Sequence, residues 1–424
     1  MEFSKITGLK GEITVPGDKS ISHRAVMLGS LAKGTTEVVN CLQGADCLST
    51  MDCFKKMGVS IENNGNTVLI KGNGLHSLKT PSFALDAGNS GTAIRLMSGI
   101  LAAQNFNSAI DGDESIRTRP MKRIITPLSM MGAEIISKYN NDCAPLLING
   151  KKLNSIHYNS PVASAQVKSS ILFAGLYAEG ETKVTEPYLS RNHTELMFKY
   201  FGIDVDSHGT TATVRTADEF EGRKVIVPGD LSSAAYFIVA GLITPDSEIC
   251  IKNVGINSTR DGIIDVVKMM GGSIEIFNER CDGGETTADI LVRTSRLHGI
   301  TIGGEIIPKL IDEIPIICIL ACFADGTTVI KDAAELKVKE SNRIDAMVDN
   351  LKLMNADVTA TDDGMIINGG VALCGAEIDS KKDHRIAMSF TIAGINAKER
   401  TKIKDSHCVN ISYPGFYDDL KSLL

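Results

Sequence analysis

One short phrase returns five times along this chain and limits what it can fold into: FKKMGVSIE, LSMMGAEII, FKYFGIDVD, VKMMGGSIE and LKLMNADVT. Each reads as the end of an amphipathic helix, a glycine or asparagine, and the start of a strand. The pivots are Gly58, Gly132, Gly202, Gly271 and Asn355, separated by 74, 70, 69 and 84 residues. Glycine and asparagine tolerate the left-handed conformation that closes a helix. Such junctions occur in any α/β protein, but five at near-constant spacing mark a repeated unit.

A coarser repeat overlies the first. VPGDKSISHRAVMLGSLAKG, starting at Val15, is echoed by VPGDLSSAAYFIVAGLITPD, starting at Val227, 212 residues further along a chain of 424. The chain reads as a duplicated half, each half about three βα-type units. Five phrases leave a sixth unit to be built from the C-terminal tail and the first ~15 residues, with strands of about 5–6 residues. On this pattern 16–228 forms one domain, 1–15 plus 229–424 the other, and the two VPGD segments cross between them. Helices such as SISHRAVMLGSLA alternate with strands such as GEITV and TVLIKG, which predicts an α/β or α+β class.

At 424 residues about two or three domains are expected, each with a substantial core. The chain has no tryptophan, is 5% aromatic and carries a net charge of −7. That argues against base-stacking surfaces and against general affinity for nucleic acid or anionic membrane. Neither an apolar leader nor a run of about 18 apolar residues is present, so a cytoplasmic location without membrane attachment is expected. Ten cysteines are scattered without CxxC pairs. Cys318 and Cys322 share a helix face inside IPIICILACF and read as reduced core thiols, whereas Cys41, Cys47 and Cys53 match no zinc motif.

With an acidic chain, any anion site must be a local cluster of cations. PGDKSISHRA offers one: Lys19 and Ser20 at a helix start and Arg24 one turn on, where N–H groups, a hydroxyl and cations suit phosphate or carboxylate. It is not a Walker A loop. DAGNSGTAIRL places Gly88, Asn89, Ser90, Gly91 and Thr92 in a small-residue loop before a helix bearing Arg95; glycine at 91 lets a ligand approach the backbone. IRTRPMKR supplies Arg117, Arg119 and Arg123, suited to bidentate anion recognition. SAQVKSS adds Ser164, Gln166 and Lys168, a set fitted to a polyhydroxylated ring, and YLSRNHTELM adds Ser190 and Arg191. In the second half, KLIDEIPIICILA sets Asp312 and Glu313 before an apolar run, either as catalytic groups or as helix N-terminal acids. ELKVKESNRI brings Lys337, Lys339, Glu340 and Arg343, and KKDHRIAM brings Asp383, His384 and Arg385. Each motif alone is as well explained by surface decoration; together they describe a receptor for two small, highly charged anions.

In this order the motifs resemble the 5-enolpyruvylshikimate-3-phosphate synthase family, over essentially the whole chain. The resemblance implies a two-domain inside-out α/β barrel of six βαβαββ units, three per domain, hinged by two crossings, with closure excluding water. It implies transfer of the enolpyruvyl group of phosphoenolpyruvate to the 5-hydroxyl of shikimate 3-phosphate, by addition and then elimination of phosphate. Carried over by position, Lys19, Ser20, Arg24, Ser164, Ala165, Gln166, Ser190, Arg191, Asp312 and Lys339 hold shikimate 3-phosphate. Lys19, Gly91, Arg119, Gln166, Arg343 and Arg385 hold phosphoenolpyruvate. Asp312 accepts the hydroxyl proton, and Glu340 or Lys19 manages the proton at the methylene carbon. The resemblance implies no metal or cofactor, and a monomer is expected.

There are departures. Ser115 stands where some relatives carry an arginine, so the role falls to Arg119; Ala165 replaces a second serine; Asn342 stands where many have aspartate, which removes a supporting ion pair; and NISYP lacks a C-terminal lysine seen in some relatives. The rival readings are a UDP-N-acetylglucosamine enolpyruvyl transferase and a non-catalytic phosphometabolite-binding relative. The first uses a loop cysteine as acid, and DGDESIRTRPM has none; the second has no need of Asp312, Glu340 and Lys19 together.

Overall fold

A computed structural model describes residues 1–424, the side chain of Asp282 excepted. The chain divides into two compact units: Met1–Pro16 with Pro228–Arg280 and Thr286–Leu424, the second-half unit, and Gly17–Val227 with Cys281–Glu285, the first-half unit.

Among the described residues the strands form six sheets, five of four strands and one of three. In one, Leu85–Asp86 runs parallel to Asn107–Asp111, which pairs antiparallel with Leu146–Asn149, itself antiparallel to Glu134–Ser137. With helices Gly91–Ala102 and Lys122–Met130 between the strands, the chain order is βαβαββ. Two sheets take their parallel edge strand from a distant part of the sequence. Lys33–Val39 pairs with Lys224–Ile226, and Glu248–Gly255 pairs with Lys10–Ile13. Each of these edge strands runs directly into a VPGD segment, where the chain passes from one unit to the other. The sheet of three is built from both chain ends: Glu377–Ile378 lies parallel to Thr401–Ile403, whose other edge takes Glu2–Phe3 with Glu2 opposite Lys402. That is why the recurring phrase occurs five times and not six.

All five pivots adopt the left-handed conformation, with φ of 89° at Gly58, 94° at Gly132, 83° at Gly202, 83° at Gly271 and 62° at Asn355. After each, an N–H reaches back five residues: Val59 to Phe54 at 3.1 Å, Ala133 to Leu128 at 3.0 Å, Ile203 to Phe198 at 2.9 Å, Gly272 to Val267 at 2.8 Å and Ala356 to Leu351 at 3.0 Å. This closure satisfies helix carbonyls that would otherwise lack partners and turns the chain into the next strand.

The helices fall into two kinds. Ala45–Lys56, Lys122–Met130, His193–Phe201, Gly262–Met269 and Arg343–Leu353 bury one side only. Lys19–Leu31, Gly91–Ala102, Ala165–Gly175, Leu231–Ile243, Ile314–Cys322 and His384–Gly394 are buried along nearly their whole length. A helix apolar on all sides, such as LSSAAYFIVAGLI, is stable only when surrounded. In the second-half unit the three buried helices touch one another; in the first-half unit Gly91–Ala102 packs on both of the others. The sheets cover them with one apolar face, as in Thr67–Asn73, where Val68 and Ile70 are buried and Lys71 and Asn73 exposed. Helices inside and sheets outside make the architecture inside-out. Cys318 and Cys322 are buried free thiols, and burial pushes Cys322 up to about 12. Among the described residues no helix is long and apolar enough to cross a membrane.

Two buried helices approach closely at Gly99, where a Cβ would lie 2.1 Å from the Ser170 carbonyl oxygen. Gly99→Ala is therefore expected to destabilise the protein by about 1–3 kcal/mol in urea unfolding. A loss below about 0.5 kcal/mol would show that the two helices separate at little cost.

Candidate active site

Within each unit, Lys19, Ser20, Gly91, Ala165, Gln166 and Arg385 lie in the first turns of buried helices, Asp312 and Ser164 just before such helices, and Arg343 opens a one-sided helix, while Arg119, Ser190, Arg191, Lys339 and Glu340 lie on loops. Side-chain caps fix these starts. Asp18 Oδ1 accepts from Ile21 N at 2.8 Å, Ser90 Oγ from Ala93 N at 3.0 Å, Ser164 Oγ from Val167 N at 3.4 Å, Asp230 Oδ1 from Ser232 N at 2.8 Å, and Asp383 Oδ1 from Arg385 N at 2.9 Å. A helix start is where spare N–H groups and the positive end of the dipole favour anions.

In the first-half unit Lys19 Nζ lies 3.1 Å from Asp46 Oδ2, with Ser20 half-buried beside it. Arg24 is 2% exposed, and its donors reach Thr194 Oγ1 at 2.6 Å, Ser169 Oγ at 2.7 Å and the Ser20 carbonyl at 2.9 Å. Those partners are neutral, so they solvate the charge without cancelling it. Burial is the main cause that holds Arg24 down to about 10; Glu195 and Asp18 act the other way, and Arg191 adds to the lowering. The second helix begins at Gly91, where a Cβ would stand 3.1 Å from Arg119 Nη1, 3.6 Å from Arg95 Nη1 and 4.0 Å from Gln166 Nε2. Arg95 donates to Gln166 Oε1 and to the Pro120 carbonyl, Gln166 Nε2 donates to Thr92 Oγ1 at 3.0 Å, and Arg119 donates to Ser115 Oγ at 2.9 Å and Asn89 Oδ1 at 3.3 Å. Ser115 thus braces Arg119. Ser190, 3% exposed, donates its hydroxyl to Glu186 Oε2 at 2.7 Å, and Arg191 and Ala165 are half-buried.

One expectation changes here. Lys168, expected from SAQVKSS among the ring ligands, is 1% exposed and pairs with Glu195 at 2.8 Å and Glu186 at 3.1 Å. Burial alone would lower its pKa, but Glu195 and Glu186 raise it and keep it protonated. Arg117 is on the surface, 2.6 Å from Asp111, and Arg123 is half-buried on the Lys122–Met130 helix. His23 carried no signal of its own in the sequence. Its Nδ1 lies 2.8 Å from Thr50 Oγ1 and its Nε2 3.3 Å from Ser90 Oγ, tying the first helix to the cap of the second. Burial, with Lys19 and Arg24 nearby, lowers it to about 3, so the ring is neutral.

In the second-half unit Asp312 faces cations: Lys339 Nζ and Arg343 Nη1 each at 3.3 Å, and Arg385 Nη2 at 4.0 Å. Arg343 is 1% exposed, donates to Asp383 Oδ2 at 2.9 Å and also grips Glu340. Burial would lower Arg343, yet Asp383, Glu340 and Asp312 hold it well above the ordinary value; Asp383, also buried, is kept low chiefly by Arg343. Arg385 is likewise raised against burial, first by Asp312. Glu313 parts from Asp312: it is buried and accepts from Ser232, with Arg260 Nη2 at 3.8 Å and Arg385 Nη1 at 4.0 Å. Arg260, whose loop NSTRDG carries no motif, also binds Asp230 Oδ1 at 3.1 Å. Asn342 caps its helix, and its amide donates to Asp345 Oδ2 at 2.6 Å, a contact that a second carboxylate would make repulsive. Among the described residues no group of His, Cys, Asp and Glu is arranged to hold a metal.

The first-half cluster can hold an anion on hydroxyls, amides and cations. The second-half cluster pairs carboxylates with cations and can move protons beside a bound anion.

The family model described as EPSP synthase (3-phosphoshikimate 1-carboxyvinyltransferase) matches residues 3–420. A 3-phosphoshikimate 1-carboxyvinyltransferase of Thermoanaerobacter sp. (strain X514) is 58% identical over 417 residues, 98% of each chain. One of Brevibacillus brevis is 55% identical over 410 residues, 97% of this chain and 96% of that one. A solved EPSP synthase from Acinetobacter baumannii superposes with a TM-score of 0.88 at 45% identity, covering 99% of this chain and 97% of the other.

The neutral His23 gives a pH prediction. Its folded pKa of about 3 lies below the ordinary histidine value of 6.5, so its contribution is complete above pH 6.5 and is lost as pH falls toward 3. Between pH 6.5 and 5 the wild type is expected to lose about 2 kcal/mol more stability than His23→Asn in denaturant titrations. Parallel pH profiles would remove His23 as the source.

Proposed function

The chain belongs to the EPSP synthase family, and from that premise we propose how its residues divide the family's reaction. The reaction transfers the enolpyruvyl group of phosphoenolpyruvate to the 5-hydroxyl of shikimate 3-phosphate, giving 5-enolpyruvylshikimate 3-phosphate and phosphate, in the shikimate pathway of aromatic amino acid biosynthesis.

Residues 16–228 supply the shikimate 3-phosphate side. Lys19, Ser20, Arg24, Ser164, Ala165, Gln166, Ser190 and Arg191 bind that substrate, with Asp312 and Lys339 completing the set. Residues 1–15 plus 229–424 carry the catalytic aspartate and the phosphoenolpyruvate-binding Arg343 and Arg385; Lys19, Gly91, Arg119 and Gln166 also bind phosphoenolpyruvate. The observation that carries this reading is the second-half cluster, where the two candidate proton-transfer carboxylates, Asp312 and Glu340, sit on the same buried Arg343. That arrangement keeps both ionisable groups beside a cation able to take a carboxylate or phosphate.

The 5-hydroxyl oxygen attacks C2 of phosphoenolpyruvate while Asp312 takes the hydroxyl proton and Glu340 or Lys19 delivers a proton to the methylene carbon. In the tetrahedral adduct the methyl group then gives up a proton, the bond from C2 to the phosphate oxygen breaks, and phosphate leaves. Placed cations stabilise the charge that develops. The same reading makes the protein a cytoplasmic enzyme that acts as a monomer.

Phosphate release with phosphoenolpyruvate plus either shikimate 3-phosphate or UDP-N-acetylglucosamine is expected only with the first acceptor; release with the nucleotide sugar would reassign the substrate. Asp312→Ala is expected to bind both substrates and to lose about two to four orders of magnitude in kcat. Wild-type turnover would refute its role, as it would for Lys19→Met. Gly91→Ala places a methyl 3.1 Å from Arg119 Nη1 and is expected to weaken inhibition by glyphosate, a phosphoenolpyruvate mimic, by about tenfold or more. Equal inhibition of both forms would show a roomier pocket.

A further inference from the structure

Glu186 lies just beyond the Glu181–Thr185 strand, is 3% exposed, and belongs to none of the motifs that carry the reaction. Its Oε1 accepts the Ser164 N–H at 2.8 Å, and its Oε2 accepts the Ser190 hydroxyl at 2.7 Å and the Ser190 N–H at 3.3 Å. Lys168 Nζ, 3.1 Å from Oε2, also donates to the Ser190 carbonyl at 3.3 Å and pairs with Glu195 at 2.8 Å. One carboxylate therefore ties the cap of the Ala165–Gly175 helix to the segment that carries Ser190.

We propose that Glu186 is a positioning residue for the phosphate end of shikimate 3-phosphate, holding Ser164 and Ser190 in register and releasing the Ser190 hydroxyl to the incoming phosphate. This rests on the placement of that substrate at Ser164 and Ser190, with its phosphate taken to lie at the Ser190 hydroxyl.

A carboxylate beside an anion site is costly unless a cation offsets it, and Lys168 is that cation. The donors converging on Glu186 also require two acceptor oxygens, because an amide of the same shape would turn an NH2 toward Ser164, Ser190 or Lys168. The Ser190 hydroxyl has one proton. It goes to Glu186, and a phosphate oxygen, being an acceptor, needs the same proton. Rotation about Cα–Cβ exchanges one charge-assisted hydrogen bond for another, while Glu186 keeps both N–H donors and Lys168. The site is thus held assembled before the ligand arrives, which lowers the ordering cost of binding.

Steady-state phosphate release tests this. Glu186→Gln is expected to raise KM for shikimate 3-phosphate by about tenfold or more, with kcat and KM for phosphoenolpyruvate within about threefold. Glu195→Gln, which disturbs the same lysine but touches neither serine, is expected to leave that KM within about threefold. Equal effects of the two variants, or a lower Tm without the KM split, would overturn the role and leave Glu186 as a structural charge. If Glu186→Gln does not fold, Glu186→Asp keeps the charge opposite Lys168 but reaches fewer donors; it decides by the same KM ratio, and an unchanged ratio overturns the role. Ser190→Ala separates the two levels. An unchanged shikimate 3-phosphate KM in that variant sinks the substrate placement and this proposal with it, whereas a raised KM there with a normal one in Glu186→Gln sinks the role of Glu186 alone.

Discussion

A helix buried on every side can carry charge only where neighbouring polar groups receive it, and most of this protein's design follows from that limit. Lys19–Leu31, Gly91–Ala102, Ala165–Gly175, Leu231–Ile243, Ile314–Cys322 and His384–Gly394 are largely apolar beyond their first two turns, and their charged side chains lie within or just before those turns. Within each unit these early turns meet. Arg24 reaches Ser169, Arg95 reaches Gln166 and His23 reaches Ser90 in the first-half unit; Ser232 reaches Glu313 and Arg385 faces Asp312 in the second. Burying the helices is what brings the polar groups of each unit together, so folding of a unit and assembly of its cluster are one event.

Two buried arginines, one in each unit, are handled in opposite ways. Arg24 is solvated by the Thr194 and Ser169 hydroxyls, which leave its charge available to a ligand. Arg343 is surrounded by Asp383, Asp312 and Glu340, which spread its charge over groups able to exchange protons. Removing one partner from such a buried pair typically costs about 3–5 kcal/mol, so these clusters also hold the surrounding segments in place. The partners that each cation was given decide whether it sits among neutral donors and acceptors or among carboxylates.

The departures from the family pattern become local compensations. Ser115 hydrogen-bonds Arg119, and Asn342 faces Asp345, where an aspartate would meet like charge. The NISYP segment serves the core: Tyr413 is fully buried against Phe237 and Phe416, with its hydroxyl on Asp419 at 2.8 Å.

What the amino-acid sequence determined by itself was whatever is set over a few residues. Left-handed pivots at Gly58, Gly132, Gly202, Gly271 and Asn355, caps such as Asp18 and Ser90, and all-apolar helix bodies are local physics, and they fix the repeat and the places where helices begin. Only the tertiary structure decided which of many similar cations are used and how. Lys168 looks like a ligand in a string of letters but has glutamate partners 18 and 27 residues away, while His23, Glu186 and Arg260 look like nothing until folding sets Ser90, Ser164 and Asp230 beside them. A charge's role depends on what lies within about 4 Å of it, because Coulomb energy and desolvation both vary steeply at that range. Those neighbours come from segments that only the fold brings together.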